Sequence, residues 1–246
     1  MPKPELNAVV TARIDYNPEL YILRVAPEGW DLPPYEAGQF AVLGLPGSAP
    51  RCELAEPEKE QPDPDKFIRR AYSIASTPRV SNYLEFYIVL VRDGALTPRL
   101  TALQPGDRVH LGPKIKGLFT LKDLPEGANV VMAGTGTGLA PYISMLRTYI
   151  NENRWNKVAV IHGVRQSVDL GYYNELSLLE KAYPDFTYVP MISRPQNEHT
   201  PWIGETGYVQ QIWQRGVIEE KWGFKPTPDD THFYLCGNPA MIEALT

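Results

Sequence analysis

Residues 129–146 read NVVMAGTGTGLAPYISML, and this stretch decides the fold expected for the C-terminal half of the chain. The apolar run Asn129–Ala133 predicts a buried strand, and a helix is expected over Leu139–Asn151. The loop between them has three glycines in five residues, although it lacks the common G-x-G-x-x-G spacing. A strand, a glycine-rich loop and a helix in this order are typical of one unit of an α/β fold.

Two interpretations of this loop stay open on its own residues. Gly134, Gly136 and Gly138 would let the backbone approach a pyrophosphate closely, at the positive end of a helix dipole. Thr135 and Thr137 would add hydroxyl donors. The alternative is an ordinary turn between a strand and a helix.

The rest of the C-terminal half repeats the alternation of strand and helix. The further predicted elements are the strands Lys157–Gly163, Phe186–Ile192 and His232–Cys236 and the helices Tyr172–Ala182, Tyr208–Arg215 and Pro239–Leu245. Such alternation predicts a parallel sheet with helices on both faces, whose ligands bind at the carboxyl ends of the strands.

The N-terminal half has short apolar segments that often alternate with polar residues. The predicted elements are the strands Val9–Ile14, Leu20–Val25, Phe40–Leu43, Tyr83–Val91 and Arg108–Leu111 and a short helix near Thr97–Leu103. This spacing predicts a sandwich or a small barrel. The change of pattern near residues 112–120 divides the chain into domains 1–115 and 116–246. Within the first, the acidic, proline-rich segment Ser48–Lys66 predicts an exposed loop, either solvated or in contact with a partner.

Composition narrows the class of protein. With 43% hydrophobic and 22% charged residues, the 246-residue chain has the balance of a soluble globular protein. It has no apolar stretch near the ~20 residues of a membrane span, and its net charge of −5 argues against a nucleic-acid binder. Cys52 and Cys236 lie too far apart for a disulfide framework or a metal site, and no secretory signal is evident, so a cytoplasmic location is expected.

The segment Ile68–Ser76 places a guanidinium, an aromatic ring and a hydroxyl within four residues. On a strand, Arg70 and Tyr72 would share one face. An arginine fork suits a pyrophosphate, and a tyrosine ring offers a stacking face for a flat heterocycle. An exposed Arg–Tyr pair on an ordinary strand is the alternative.

Four motifs, in order, resemble those of the ferredoxin–NADP reductase family, and the resemblance covers nearly the whole chain. RAYSIAS at Arg70–Ser76 resembles the flavin-binding R-x-Y-S motif, and DGALT at Asp93–Thr97 resembles the second FAD segment. GTGTGLAP at Gly134–Pro141 resembles the loop that receives the NADP pyrophosphate, and CGNP at Cys236–Pro239 resembles the segment beside the nicotinamide. The resemblance implies an N-terminal antiparallel FAD-binding β-barrel followed by a Rossmann-like NADP-binding α/β domain.

The resemblance also implies the residues nearest the chemistry. Arg70 should contact the FAD phosphates, Tyr72 should pack against the isoalloxazine ring, and Ser73 should lie near flavin N5, where the hydride arrives. Cys236 should lie near nicotinamide C4 and shape hydride transfer without acting as a nucleophile; ordinary packing at the end of a strand is the alternative. Tyr72, Ser73 and Cys236 are therefore the candidate catalytic residues.

Three further positions match the FAD-binding half of the family. Thr97, at the start of a short helix, should hold the FAD pyrophosphate. Tyr87 and Val89 correspond to positions on the second flavin-contacting strand, where ordinary strand packing is the alternative.

Cofactor choice depends on the 2′-phosphate that distinguishes NADP from NAD and that calls for cations. Arg165 follows the second parallel strand, and Ser193 and Arg194 follow the third. In the family these positions grip the 2′-phosphate, and Tyr208 with Gln210 resembles a Y-x-Q motif whose ring stacks on adenine. The resemblance therefore favours NADP; the alternative is that both arginines are solvated loop charges.

The implied activity is electron transfer in which NADPH gives a hydride to flavin N5 and the flavin passes single electrons to ferredoxin or flavodoxin. Arg99, Lys114 and Lys116 are candidates for a basic patch that meets the carrier. The alternatives are a flavin reductase component of an oxygenase system and a nucleotide-binding module without turnover.

The C-terminus departs from the family. The family normally continues through a C-terminal helix into a tail, often closing with an aromatic residue that covers the flavin, whereas this sequence ends at Thr246, within the predicted last helix. Either the chain is a truncated form or the tail is lost from it.

Overall fold

The computed structural model describes residues 5–58, 60–152 and 154–246. These residues form two compact units. One comprises the residues up to Leu121 together with Ile143–Thr148, and the other comprises Lys122–Tyr142 and Tyr149–Thr246. Because a helical segment joins the N-terminal unit, the units are not continuous in sequence, and the domain ranges 1–115 and 116–246 stay a prediction.

The first unit is an antiparallel barrel. Its elements are β1 (Ala8–Asn17), β2 (Leu20–Pro27), β3 (Phe40–Pro46), β4 (Phe67–Ser73), β5 (Leu84–Val89), α1 (Thr97–Ala102) and β6 (Arg108–Leu111). The six strands pair in the order β4-β3-β6-β1-β2-β5. An antiparallel bridge between Ile74 and Phe86 joins the end of β4 to β5, so the two edges of the sheet meet. Of the two predicted architectures, the barrel is therefore confirmed.

Polar contacts fasten Ile143–Thr148 to the barrel strands. The buried Glu85 on β5 accepts hydrogen bonds from Arg24 at 2.8 Å and from Arg147 at 2.7 Å. The Ser144 hydroxyl donates to the Ser76 carbonyl at 2.7 Å. These contacts explain why this segment belongs to the N-terminal unit although it follows the glycine-rich loop in sequence.

The segment Ser48–Lys66 has neither helix nor strand in its described residues, and most of them are exposed, as predicted; residue 59 lies outside the described residues. It is nevertheless tied to the barrel. The Glu58 carboxylate accepts two hydrogen bonds from Arg99, at 2.7 and 3.1 Å, and the Glu56 N–H donates to the Arg92 carbonyl. Arg99 is only 3% exposed, so its side chain is not part of a surface patch. The prediction that Arg99 contributes to a carrier-binding patch is therefore wrong.

The second unit is an α/β sheet. Its elements are β7 (Asn129–Thr135), α2 (Ala140–Tyr149, shared with the first unit), β8 (Val158–Val164), α3 (Tyr173–Ala182), β9 (Phe186–Ile192), β10 (Glu205–Thr206), α4 (Val209–Gln214), α5 (Val217–Trp222), β11 (Thr231–Cys236) and α6 (Pro239–Glu243). The strands pair in the order β10-β9-β8-β7-β11, and every pairing is parallel, which confirms the predicted α/β sheet.

Among the element boundaries that differ from the sequence predictions, three concern the glycine-rich loop or the C-terminus. β7 continues to Thr135, so Gly134 and Thr135 are strand residues, and a 3₁₀ turn over Gly136–Leu139 precedes α2. The last helix ends at Glu243, so Thr246 does not lie within it. None of the helices in the described part of the chain combines the length and apolar character that a bilayer span requires.

Candidate cofactor sites

The carboxyl edge of the parallel sheet collects the residues predicted to bind a dinucleotide. Gly134 on β7 pairs with His162 on β8 and with Cys236 on β11, and Ile192 on β9 pairs with Thr206 on β10. All five strands therefore end at one edge. The predicted residues at this edge are Gly134, Thr135, Gly136, Thr137, Gly138, Arg165, Ser193, Arg194, Tyr208 and Cys236.

Two glycines of the loop are needed for different structural reasons. Gly136 has φ +52°, in the left-handed region, and a Cβ added there would have no atom within 4 Å. A ligand can therefore approach this backbone closely. Gly138 is needed for packing, because a Cβ there would lie 2.5 Å from the Cys236 carbonyl oxygen.

The two threonines of the loop differ in what they contact. The Thr135 hydroxyl accepts a hydrogen bond from the Asn238 N–H at 2.7 Å, so it joins the end of β7 to the start of α6. Thr137 is half-buried in the turn that follows. Thr135 therefore has a structural role in addition to its predicted role as a donor.

The two arginines predicted at the 2′-phosphate come together through their backbones. The Arg194 N–H donates to the Arg165 carbonyl at 2.9 Å, and the Ser193 N–H donates to the Val164 carbonyl at 2.9 Å. Both arginine side chains are exposed, and the Arg165 Nε lies 3.7 Å from an Asp169 carboxylate oxygen. Two exposed guanidinium groups on adjacent loops suit a phosphate.

Tyr208 precedes α4, at the carboxyl edge of the same sheet. Its side chain is 61% exposed, which leaves the ring face available for stacking. Its backbone N–H donates to the Gln211 side chain at 2.8 Å, so Gln211 fixes the start of α4. Gln210, the predicted partner of Tyr208, is half-buried on the same helix.

In the barrel, β4 presents the residues predicted to hold a flavin. The Arg70 side chain is exposed, with one nitrogen donating to the Arg69 carbonyl at 2.8 Å. The half-buried Tyr72 ring lies edge-on to Phe86, with the ring centroids 6.5 Å apart. Burial raises the pKa of Tyr72 to about 12, against a smaller opposing effect of Arg70, so the phenol stays neutral. Ser73, also half-buried, ends the strand opposite Phe40.

The remaining flavin candidates already have partners within the barrel. Tyr87 is 3% exposed and packs edge-on against Tyr16, as ordinary strand packing requires, and Val89 is half-buried. The Thr97 hydroxyl accepts from the Val91 N–H at 3.0 Å and lies 3.1 Å from the Val91 carbonyl. A flavin contact for these three residues stays a prediction.

Cys236 is half-buried at the end of β11. Burial raises the pKa of its thiol, which keeps the uncharged form dominant at neutral pH. A neutral thiol is a poor nucleophile, in agreement with a role in shaping a site rather than in covalent chemistry.

Comparison with known proteins identifies the family. Residues 132–246 match the family model of the oxidoreductase NAD-binding domain. The chain is 33% identical over 240 residues to the flavodoxin/ferredoxin–NADP reductase of Buchnera aphidicola subsp. Schizaphis graminum, covering 98% of this chain and 88% of that protein. The chain belongs to the flavodoxin/ferredoxin–NADP reductase family. The reductase of the same name from Escherichia coli K12 is 32% identical over 209 residues, with 85% of this chain and 76% of that protein covered.

A solved member of the family has the same fold. The ferredoxin NADP⁺ reductase from Neisseria gonorrhoeae, crystallised with bound FAD and NADP, superposes with a TM-score of 0.80 at 26% identity. The superposition covers 99% of this chain and 89% of that chain. Family membership and fold thus confirm the resemblance that the four sequence motifs predicted.

Two residues that support the glycine-rich loop were not identified in the sequence analysis. The buried Tyr142 hydroxyl lies 3.0 Å from the Ala133 carbonyl and 2.8 Å from the Tyr234 carbonyl, so it ties β7 to β11. The buried His162 ring lies 3.2 Å from the Gly136 carbonyl. Both residues lie in apolar stretches of the sequence. Their polar groups, which packing alone does not require, were the signal that could have indicated a structural role.

The close approach at Gly138 leads to a testable expectation. In Gly138→Ala the new methyl would clash with the Cys236 carbonyl, which is backbone and cannot rotate away. We expect a loss of about 1–3 kcal/mol in the free energy of unfolding, as for other overpacked sites. Denaturant unfolding of the wild type and of Gly138→Ala measures this loss. Equal stabilities of wild type and Gly138→Ala would contradict the packing role.

Proposed function

We propose that this chain is an FAD-dependent oxidoreductase that transfers electrons between NADPH and a one-electron carrier, ferredoxin or flavodoxin. The proposal is supported by the carboxyl edge of the parallel sheet, where the open backbone at Gly136 and the arginines Arg165 and Arg194 lie. It is also supported by the membership of this chain in the reductase family. A cytoplasmic location is part of the same proposal.

The residues at this edge fit NADPH. The space beside Gly136 that a Cβ would occupy is open, so the loop can receive the pyrophosphate. The exposed guanidinium groups of Arg165 and Arg194 suit a 2′-phosphate, and the exposed ring of Tyr208 suits adenine. Ser193, which directly precedes Arg194, would add a hydroxyl, and Gln210 would support the Tyr208 side of the site.

The face of β4 fits FAD. Arg70 would pair with the phosphates, because its planar fork matches phosphate oxygens. Tyr72 would support the ring system, and its neutral hydroxyl adds no charge beside it. Ser73 would lie near the reactive edge of the ring, and Tyr87, Val89 and Thr97 would complete this surface.

FAD supplies the redox chemistry when bound, because it can accept a hydride and release electrons singly. The protein's residues bind and orient the two nucleotides and need no strongly tuned acid or base. Cys236 contributes an uncharged thiol near the nicotinamide, where a thiolate would disturb a charge-sensitive transfer.

Steady-state reduction assays test the proposed activity. With FAD-loaded protein and NADPH, ferredoxin or flavodoxin should be reduced faster than free FMN at equal concentration. Faster reduction of free FMN than of both carriers would favour a flavin reductase and contradict the carrier assignment. If NADPH is not oxidised with any acceptor, the proposed activity as a whole is contradicted, and a nucleotide-binding module without turnover is favoured instead.

A further inference from the structure

His162 on β8 is a buried titratable residue to which the proposed function gives no task. It is completely buried, between Gly134 on one side and Pro190 on the other. Its Nε2 lies 3.2 Å from the Gly136 carbonyl oxygen, and its Nδ1 lies 3.4 Å from the Tyr188 hydroxyl oxygen. The ring therefore connects the interior of the sheet to the loop residue with the left-handed backbone.

The two contacts fix which nitrogen of the ring carries the proton. A carbonyl oxygen can only accept, so Nε2 must be the protonated nitrogen and must donate to Gly136. Nδ1 is then an acceptor, and the Tyr188 hydroxyl donates to it. Burial lowers the pKa of His162 to about 4, so the ring is neutral at physiological pH and has one donor and one acceptor.

The orientation of one peptide unit follows from this hydrogen bond. The peptide between Gly136 and Thr137 is planar and trans, so its C=O and N–H groups point in opposite directions. Because the carbonyl points at the buried His162, the Thr137 N–H must point away from it. Thr137 is in the first turn of the 3₁₀ segment, where N–H groups have no partner within the helix.

We infer that His162 is a positioning residue for the dinucleotide: it holds the Gly136 carbonyl so that the Thr137 N–H faces the pyrophosphate. The inference rests on the proposed function, which assigns the pyrophosphate to this loop. His162 acts through the backbone and touches neither substrate nor cofactor. Tyr188 assists by holding the tautomer that donates from Nε2.

Two amide variants separate this role from simple packing. In His162→Gln the side-chain amide can be placed near the former Nε2 and can still donate to Gly136. In His162→Asn the shorter side chain places its amide near the former Nδ1, which leaves the Gly136 carbonyl without this donor. Two ligands complete the design: NADP⁺, and adenosine 2′-phosphate, which carries the 2′-phosphate and adenine but no pyrophosphate.

Calorimetric dissociation constants test the inference. We expect His162→Asn to bind NADP⁺ about tenfold more weakly than wild type, which corresponds to one lost hydrogen bond. His162→Gln should stay within about threefold, and both variants should bind adenosine 2′-phosphate within about twofold of wild type. Tyr188→Phe should fall between the amide variants, and ¹⁵N spectra of the wild-type ring should show Nε2 protonated without nucleotide.

The outcomes are distinguishable. If wild type binds neither ligand, the proposed function has failed, and the positioning role fails with it. If wild type binds both ligands but the two amide variants bind NADP⁺ equally, or lose affinity for both ligands in the same ratio, the positioning role alone is overturned. Thermal unfolding of each variant, measured alongside, shows whether a loss of NADP⁺ affinity reflects a loss of folded protein, which would also count against positioning.

Discussion

Replacing Arg165 and Arg194 together by alanine should raise the KM for NADPH about 100-fold or more while the KM for NADH stays within about twofold. Each substitution would remove a charge-assisted hydrogen bond to the 2′-phosphate, which contributes about 1.5–3 kcal/mol to binding. NADH has no 2′-phosphate, so its KM should not depend on these two side chains. The backbone contact between the two residues, from the Arg194 N–H to the Arg165 carbonyl, does not depend on the side chains and should persist.

Lys157→Ala is the matched control for this double variant. Lys157 directly precedes β8, the strand that Arg165 follows, but it lies at the opposite edge of the sheet, where it pairs with Asp185 at 2.7 Å. Removing this cation should leave both KM values close to those of wild type. A similar increase in KM for NADPH and NADH in the double variant would contradict the assignment of the 2′-phosphate to the two arginines.

The second large effect concerns FAD. Arg70→Ala should weaken FAD binding about 100-fold, because a guanidinium that meets a phosphate with two hydrogen bonds contributes about 3 kcal/mol or more. The protein should therefore purify with little flavin and need added FAD. Fluorescence titration of the flavin-free protein with FAD measures the dissociation constant.

Arg69→Ala provides the control, since it removes the same charge from the neighbouring position. Successive residues of a strand point to opposite faces, so Arg69 does not share the face of Arg70 and Tyr72. Its FAD dissociation constant should stay within about threefold of wild type. If both variants retain FAD equally well, or lose it equally, the β4 face is not the FAD site.

The fold was predictable because both halves have strong local patterns. The strand Phe186–Ile192 was predicted with its observed bounds, since a long apolar run between polar segments has few other interpretations. The short β10 and α5 were missed, because two and six residues are too few for a period to show. The membership of Ile143–Thr148 in the N-terminal unit was also beyond reach, because it depends on contacts such as Arg147 with Glu85.

The site was predictable only where the chemistry lies in a local motif. Gly136 and Arg70 stand in recognisable short motifs, whereas His162 and Tyr142 act through partners that are distant in sequence. Arg99 was wrongly predicted to be exposed, because its partner is also distant in sequence. A charged residue is usually exposed, but Glu58, 41 residues away, pairs with this one and allows it to be buried.

Anaerobic titration of the FAD-loaded protein with nicotinamide nucleotides shows whether NADPH reduces the bound flavin. Stoichiometric NADPH should bleach the visible flavin absorption, and NADH should do so far more slowly at the same concentration. A protein that takes up no FAD, or a bound flavin that NADPH leaves oxidised, would show that the chain is not an NADPH-dependent flavoenzyme.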